Sequence, residues 1–455
     1  DNKKNDNLGT VKDENNKNSK IGNRLNLPFI LILSKDECII HTHDSIMSYN
    51  QEYFNKNLII KGLITACLLS AFIYLSYFGF EIKLINTLFG LYGIYLLLTI
   101  PRVSLFYAGF FTGILWCYWM SVSLQYYDIT YIAPFLLLGI GLVFGTIFAL
   151  FAVINKLSFR ILMIFGFLFI APFGFNWLKL ELIFIDSYLS TTKFAFFLIL
   201  ISLYLVIKLK RLKVLAILPL LFAFHSQKGE FIDTPKAKIY MPQMYINQDL
   251  KWDKEYLKTL NDENFKQIFD AIDKGYTLVV LPETAFSVAL NKYPSLNNML
   301  LELSNKIDIV TGALYVEDNQ IFNASYFYSK NSVSIAKKVV LVPFGEEIPL
   351  PKFFVDLIND IFYNGATDYS KASSPTDFII QGEKYRNAIC YEGTTDKIFE
   401  NLGDTKYMIM ISNNAWFTPS IEPTLQHLLL KYYSKKYSVT IFHVVNGSEN
   451  RIYRP

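Results

Sequence analysis

Between about residues 58 and 225 the chain is almost continuously apolar, and its few charges fall between the apolar runs or near their ends. Seven runs stand out, at about 58–78, 84–100, 103–122, 132–152, 161–178, 193–208 and 214–226. A bilayer-spanning helix needs roughly 20 apolar residues, within a range of about 17–25. The seventh run is short and requires Lys213 to snorkel. From Ala237 onward the pattern changes to short β-rich runs alternating with amphipathic stretches. The runs are Ala237–Met241, Thr277–Leu281, Ile307–Thr311, Lys406–Ile411 and Ser438–His443. Between the first two, Tyr256 to Ile272 carries Leu257, Leu260, Phe265, Ile268 and Phe269 at close to helical spacing. This alternation predicts layered sheets flanked by helices.

The loops of the apolar half carry an orientation signal. Lys208-Leu209-Lys210-Arg211-Leu212-Lys213 is strongly basic, Lys156 to Arg160 lies two spans earlier, and Arg102 two spans before that. The intervening loop from Ser121 to Thr130 holds Asp128 and no Lys or Arg. By the positive-inside rule, the N-terminus is cytoplasmic and everything after residue 226 lies on the outer face. Seven successive segments exclude a buried soluble core. The helix interiors hold almost no ionisable groups, since Lys61 lies near an end, which points away from an ion or proton pathway. Residues 1–57 differ in kind: they are rich in Asn, Lys and Asp at the start and are expected to be largely disordered. His41 and His43 have no third ligand nearby, so no metal site is expected.

Composition adds little beyond this. The chain has 455 residues, 52% of them apolar, and a net charge of +4. That length implies more than one domain. No basic cluster interleaved with aromatics suggests nucleic-acid binding. The four cysteines lack CxxC spacing, and Cys67 and Cys117 sit in apolar runs as small hydrophobes. No nucleotide motif is present, and no cofactor is expected.

The chemistry-bearing residues lie in the second half. Glu283 stands in Pro282-Glu283-Thr284-Ala285, Lys338 precedes Leu341-Val342-Pro343-Phe344-Gly345-Glu346, and Cys390 begins Cys390-Tyr391-Glu392. A thiol has an ordinary pKa near 8.5 and needs a base or a cation to act as a nucleophile. Glu283 can take its proton, and Lys338 can hold the thiolate and then an oxyanion. Lys337 adjoins Lys338, but neighbours in an extended segment face opposite ways, so only one lines the site.

Pro-Glu-Thr-Ala, Lys-x-x-Leu-Val-Pro-Phe-Gly-Glu, Cys-Tyr-Glu and Ile-Ser-Asn-Asn-Ala-Trp-Phe, in this order, resemble the nitrilase superfamily. With several spans in front, the chain is similar over about residues 58 to 450 to bacterial apolipoprotein N-acyltransferases. The resemblance implies a multi-pass α-helical membrane domain (58–226) plus an α/β nitrilase-like α-β-β-α sandwich (237–455) on the periplasmic face of the inner membrane. It makes Glu283 the general base, Lys338 the transition-state stabiliser and Cys390 the nucleophile. Glu346 matches a further essential carboxylate, and Tyr391 and Glu392 the positions beside the nucleophile. Trp252 matches an aromatic on a mobile arm, and Asn414 and Trp416 a loop block; core packing is the competing role for the two tryptophans. Ala336 stands where the family has a tyrosine. The family continues beyond Asn446-Gly447 with a final membrane helix, so a shortened C-terminus or a fragment is expected here.

The implied reaction is ping-pong. An acyl chain passes from a membrane phospholipid to Cys390 as a thioester, and then to the α-amine of a diacylglyceryl-modified lipoprotein N-terminus. Two alternatives stay open from the residues themselves. One is a membrane-anchored amidase that discharges the thioester to water, and the other is a non-enzymatic membrane scaffold.

Overall fold

The computed structural model describes residues 55–209, 211–224, 234–343, 345–347 and 369–455. The expected disorder of the N-terminal extension, His41 and His43, and Phe344 lie outside the described residues. The apolar half forms seven helices: α1 (Lys56–Tyr77), α2 (Lys83–Thr99), α3 (Arg102–Cys117), α4 (Ala133–Leu150), α5 (Leu157–Phe167), α6 (Lys193–Lys208) and α7 (Ile217–Ala223). Four helical stretches are long and apolar enough to cross a membrane: Lys56–Tyr77, Arg102–Tyr127, Thr130–Leu150 and Leu157–Gly174. The second of these continues α3 through a 3₁₀ segment, Tyr118–Tyr127. Helices α3 and α4 meet through paired small residues. A Cβ on Gly109 would lie 2.2 Å from the Phe144 carbonyl, and one on Gly145 would meet the Phe106 ring at 2.9 Å. Such small-residue faces let membrane helices approach without clash.

The fifth apolar run departs from its expected extent of 161–178. The helix ends at Phe167. Pro172 cannot donate to the Leu168 carbonyl, and its ring would clash there if the helix continued. That carbonyl is instead capped by the Lys193 ammonium at 2.5 Å, which also sits 3.9 Å above the Phe169 ring. The chain then runs in irregular and 3₁₀ turns as far as α6. Arg160, read from the sequence as a loop cation, is buried in α5 and caps the end of α2 through the Leu97 and Ile100 carbonyls (3.3 and 2.8 Å).

The second half is a sandwich of two sheets. One has the order β1 (Ile239–Tyr240), β2 (Leu278–Val280), β4 (Asp308–Glu317), β5 (Gln320–Ser329), β6 (Ser332–Lys337), with β3 (Phe286–Ala289) also on β4. The other runs β11 (Arg451–Tyr453), β10 (Thr440–Asn446), β9 (Tyr407–Asn413), β8 (Glu383–Ile389), β7 (Asp377–Ile380). Strands β1, β2 and β4 pair in parallel, as do β8, β9 and β10. Between these strands fall α8 (Gln248–Lys251), α9 (Leu257–Asp273), α10 (Pro294–Leu303) and α11 (Glu422–Tyr437).

Three apolar clusters define the layers. Val280, Val310 and Phe327 of the first sheet pack against Tyr385, Ile409 and Val444 of the second. Phe265 and Ile268 of α9 and Leu300 of α10 cover the outer face of the first sheet, against Val279 and Ile309. Leu425, Leu428 and Leu429 of α11 cover Met408, Met410 and Ile441 of the second sheet in a core continuous with the membrane helices. The result is an α-β-β-α sandwich whose last helical layer rests on the membrane domain.

Candidate active site

Strand ends assemble the charged cluster. Glu283 follows β2 through Leu281 and Pro282, Lys338 is the first residue beyond β6, and Cys390 the first beyond β8. Cys390 has φ of 53° and Thr284 has φ of 47°, both in the left-handed region that side chains rarely adopt. Each therefore sits at an abrupt change of chain direction, the thiol partly buried at the start of a 3₁₀ turn, Cys390–Thr394.

Lys338 is fully buried, and its Nζ lies 2.8 and 2.7 Å from the two oxygens of Glu346 and 4.0 Å from Glu283 Oε1. Burial opposes its charge, but Glu346 and Glu283 outweigh that and hold the ammonium above its ordinary value. Lys337 points the other way, pairing with Glu317 and lying over the Tyr315 and Phe322 rings. The alternation of side chains thus places Lys338 in the cluster and Lys337 outside it.

Glu283 accepts a hydrogen bond from Asn323 Nδ2 at 2.7 Å. Burial pushes its carboxyl up, Lys338 pulls it down, and Glu346 pushes it up again. The Cys390 thiol is pushed well up by burial and by Glu283, with Lys338 opposing. Burial thus favours the neutral form of the Cys390 thiol, within reach of the charges of Glu283 and Lys338. This arrangement suits deprotonation during attack better than a preformed thiolate.

Glu392 does not face the reacting atoms. Its Oε2 accepts from the Val339 and Val340 N–H groups (2.7 and 3.2 Å), and its Oε1 from Ile389 N–H at 2.7 Å. It thereby ties the segment after Lys338 to the residue before Cys390. Burial pushes this carboxyl up to about 7, with Lys338 and the three N–H groups opposing. Tyr391 turns toward the membrane domain. Its hydroxyl lies 3.1 Å from both the Gly174 carbonyl and Asn176 Oδ1, and its ring stacks on Phe175 at 6.0 Å. Trp177 Nε1 donates to Thr394 Oγ1 at 2.7 Å in the same contact.

The remaining expected residues lie around this centre. Trp416 stacks on Tyr127 (5.9 Å, 13°) and meets Tyr126 edge-on, and Tyr126 OH donates to the Ala415 carbonyl at 3.0 Å. Asn414 is buried, its amide 3.0 Å from Gln426 Oε1 and 3.2 Å from Ser448 Oγ, so it braces its loop. Trp252 ends α8 and is 45% exposed, which rules out core packing for it.

Four supporting residues escaped the sequence reading. Lys251, one residue before Trp252, is fully buried and donates to the Glu283 carbonyl and to Thr284 Oγ1, both at 2.9 Å. Burial lowers its ammonium to about 8, with Glu283 opposing. Gly312 lets β4 pass beneath the base, since a Cβ there would lie 2.5 Å from Thr284 N and 2.7 Å from Glu283 Cα. Asn323 orients Glu283, as described. Glu422, at the start of α11, is buried with Oε2 lacking a hydrogen-bond partner. Burial and then Glu283 push Glu422 up to about 8, and it lies near enough to Cys390 that its ionisation would oppose that of the thiol. Only the Lys beside Trp252 had a readable signal, a cation adjoining a candidate site aromatic.

Comparison with known proteins is consistent across the chain. Residues 56–226 match the family described as the apolipoprotein N-acyltransferase integral membrane domain. An apolipoprotein N-acyltransferase of Wolinella succinogenes is 41% identical over 414 residues, covering 90% of this chain and 99% of its own. That of Helicobacter pylori is 39% identical over 359 residues, covering 78% and 84%. Among solved structures, an amidase from Nesterenkonia sp. aligns over 50% of this chain and 86% of its own, with 14% identity and a TM-score of 0.36. With a relative of 41% identity matched over nearly its full length, the chain belongs to the apolipoprotein N-acyltransferase family.

Proposed function

We propose that Glu283, Lys338 and Cys390 carry an acyl transfer from a membrane phospholipid to the N-terminal amine of a diacylglyceryl-modified lipoprotein. One observation carries this reading: a carboxyl, a buried ammonium and a thiol, from the ends of three separate strands, converge in one cluster set on a membrane domain. In the first half-reaction Glu283 takes the Cys390 proton as Sγ bonds to the ester carbonyl carbon. Lys338 holds the oxyanion: an ammonium has three N–H donors, and pairing with Glu346 does not use them all. The ester C–O bond breaks, the departing alkoxide takes the proton from Glu283, and a lysophospholipid leaves. In the second, the α-amine attacks the thioester and gives its proton to Glu283. The C–S bond breaks and the thiolate recovers that proton, returning Cys390 to its resting form.

Both substrates are held in the bilayer, which raises their effective concentration at a site fixed to the membrane domain. The loop charges at Lys156 and Lys208–Lys213 support a catalytic domain on the outer, periplasmic face of the inner membrane. The test is intact-protein mass spectrometry of wild type and Cys390→Ser after incubation with phospholipid, then with a diacylated lipopeptide. The expected result is a hydroxylamine-sensitive, fatty-acyl mass on wild type alone that discharges onto the lipopeptide amine. Discharge only to water would establish an amidase-type hydrolase instead, and absence of any adduct would refute the thioester.

A further inference from the structure

The acceptor is a two-part molecule, lipid at one end and polypeptide at the other, so it has to cross the boundary between the two domains. A cleft of about 470 Å³ opens on that boundary, within the roughly 300–1,000 Å³ typical of ligand sites. One wall is Gln125 and Tyr126, at the end of the helical stretch leaving the membrane domain. The opposite wall is Tyr245, Asn247 and Asp249, from the segment entering α8. Both walls are braced. Tyr126 is bonded to the Ala415 carbonyl, and the Ile246 N–H and C=O are both held by the Asn446 side chain (2.7 and 2.8 Å).

The cleft lies close to the chemistry. Asn247 caps α8, and Lys251 at the other end of that helix donates to the Glu283 carbonyl. Four residues at 1.5 Å each put the two ends roughly 6 Å apart along the axis. Two amides, two phenols, a hydroxyl and a carboxylate stand among apolar residues such as Ile246 and Pro419, a mixed lining that suits a peptide, whose N–H and C=O groups need partners, better than an acyl chain. Asp249 is exposed and, among the described residues, is the sole charged one lining the cleft.

We propose that this cleft binds the first residues of the acceptor polypeptide that follow the lipid-modified cysteine, and that Asp249 favours a cationic side chain among them. The inference rests on the acyl-transfer reading above. The test uses the full chain in detergent with phospholipid and synthetic diacylated lipopeptides, identical except for Lys or Glu at the three positions after the cysteine. An exposed ion pair is worth about 0.2–1 kcal/mol, so KM for the Lys peptides is expected to be about 1.4- to fivefold below that for the Glu peptides. Asp249→Asn should erase this order and Asp249→Lys reverse it, a change that loss of packing alone does not produce. Gln125→Trp, which fills the cleft from the other wall, should raise KM for both peptide series relative to an acceptor that ends at the lipidated cysteine. An order of peptides unchanged by both Asp249 variants would overturn the proposal, as would a Gln125→Trp enzyme with no length dependence of its KM change. Thioester formation on Cys390 is read in the same samples: its absence from wild type overturns the acyl-transfer reading, whereas its presence with unchanged acceptor order overturns the cleft alone.

Discussion

Replacing Glu422 by Gln isolates a buried acid whose proton the fold retains. Glu422 is 1% exposed, and burial followed by Glu283 moves it from an ordinary value of 4.5 to about 8. Below about pH 4.5 neither the folded nor the unfolded chain ionises it. Between 4.5 and about 8 the unfolded chain gives up the proton and the folded chain keeps it, so each rise in pH favours unfolding. Above about 8 both states are ionised and the loss is constant. At about 1.4 kcal/mol per pH unit, that interval amounts to on the order of 4–5 kcal/mol. Glu422→Gln does not titrate, so the variant should gain on the wild type throughout that range. For a domain of this size 1 kcal/mol is about 2–4 °C, and the gap in unfolding temperature should widen by roughly 10 °C between pH 4.5 and 8.5. Tryptophan fluorescence during thermal unfolding in detergent measures it. Parallel curves for the two proteins across this range would refute the argument, because they would mean that Glu422 ionises normally and is not a neutral neighbour of the thiol.

Three further outcomes follow from the geometry. Glu392→Gln turns one acceptor oxygen into a donor facing backbone N–H groups, at about 1–3 kcal/mol for each N–H left unpaired; the rate of thioester formation, followed by mass spectrometry, should fall at least tenfold while the protein remains folded by circular dichroism. Lys251→Met removes a cation that favours the ionised form of Glu283, so the acid limb of the pH–rate profile for thioester formation should move to higher pH, and an unmoved limb would show that Lys251 acts only as a brace. Gly312→Ala drives a methyl into the backbone at Glu283 and Thr284 and should abolish measurable thioester formation with little change in secondary structure.

Much of the architecture could be read from the chain, for reasons that vary by element. The buried strands were visible because both faces are covered, so that Lys406–Ile411 became β9 (Tyr407–Asn413), and the helical spacing of Tyr256–Ile272 became α9 (Leu257–Asp273). The fifth apolar run misled because hydropathy alone ignores Pro172, whose effect on the Leu168 carbonyl decides where α5 stops. At the site, residues next to the reacting atoms stand in recognisable motifs, and strand alternation separates Lys338 from Lys337. The braces carry no such mark. Gly312 is one glycine among 22, and its role exists only because β4 passes against the backbone of Glu283 and Thr284. Asn323 and Glu422 reach the cluster from elements distant in sequence, where no spacing rule applies.

The placement of the two domains bears on why this chemistry sits on a membrane domain at all. Tyr391, next to Cys390, and the following Thr394 are bonded to Gly174, Asn176 and Trp177, in the segment that α5 releases when Pro172 stops it. The loop after β9 is bonded through Ala415 to Tyr126 and stacked through Trp416 on Tyr127, where the α3 stretch ends. Two loops at the strand ends beside the site are thus each held by an irregular stretch of the membrane domain rather than by its regular helices. Early termination of α5 is therefore a structural requirement: a helix running on to residue 178 would carry Asn176 and Trp177 out of reach of the elbow that holds Cys390. Where the apolar pattern and the observed helix disagree is also where the membrane domain takes hold of the nucleophile. Restoring the helix with Pro172→Ala should then loosen the Tyr391 anchor and slow thioester formation even though no catalytic group has changed.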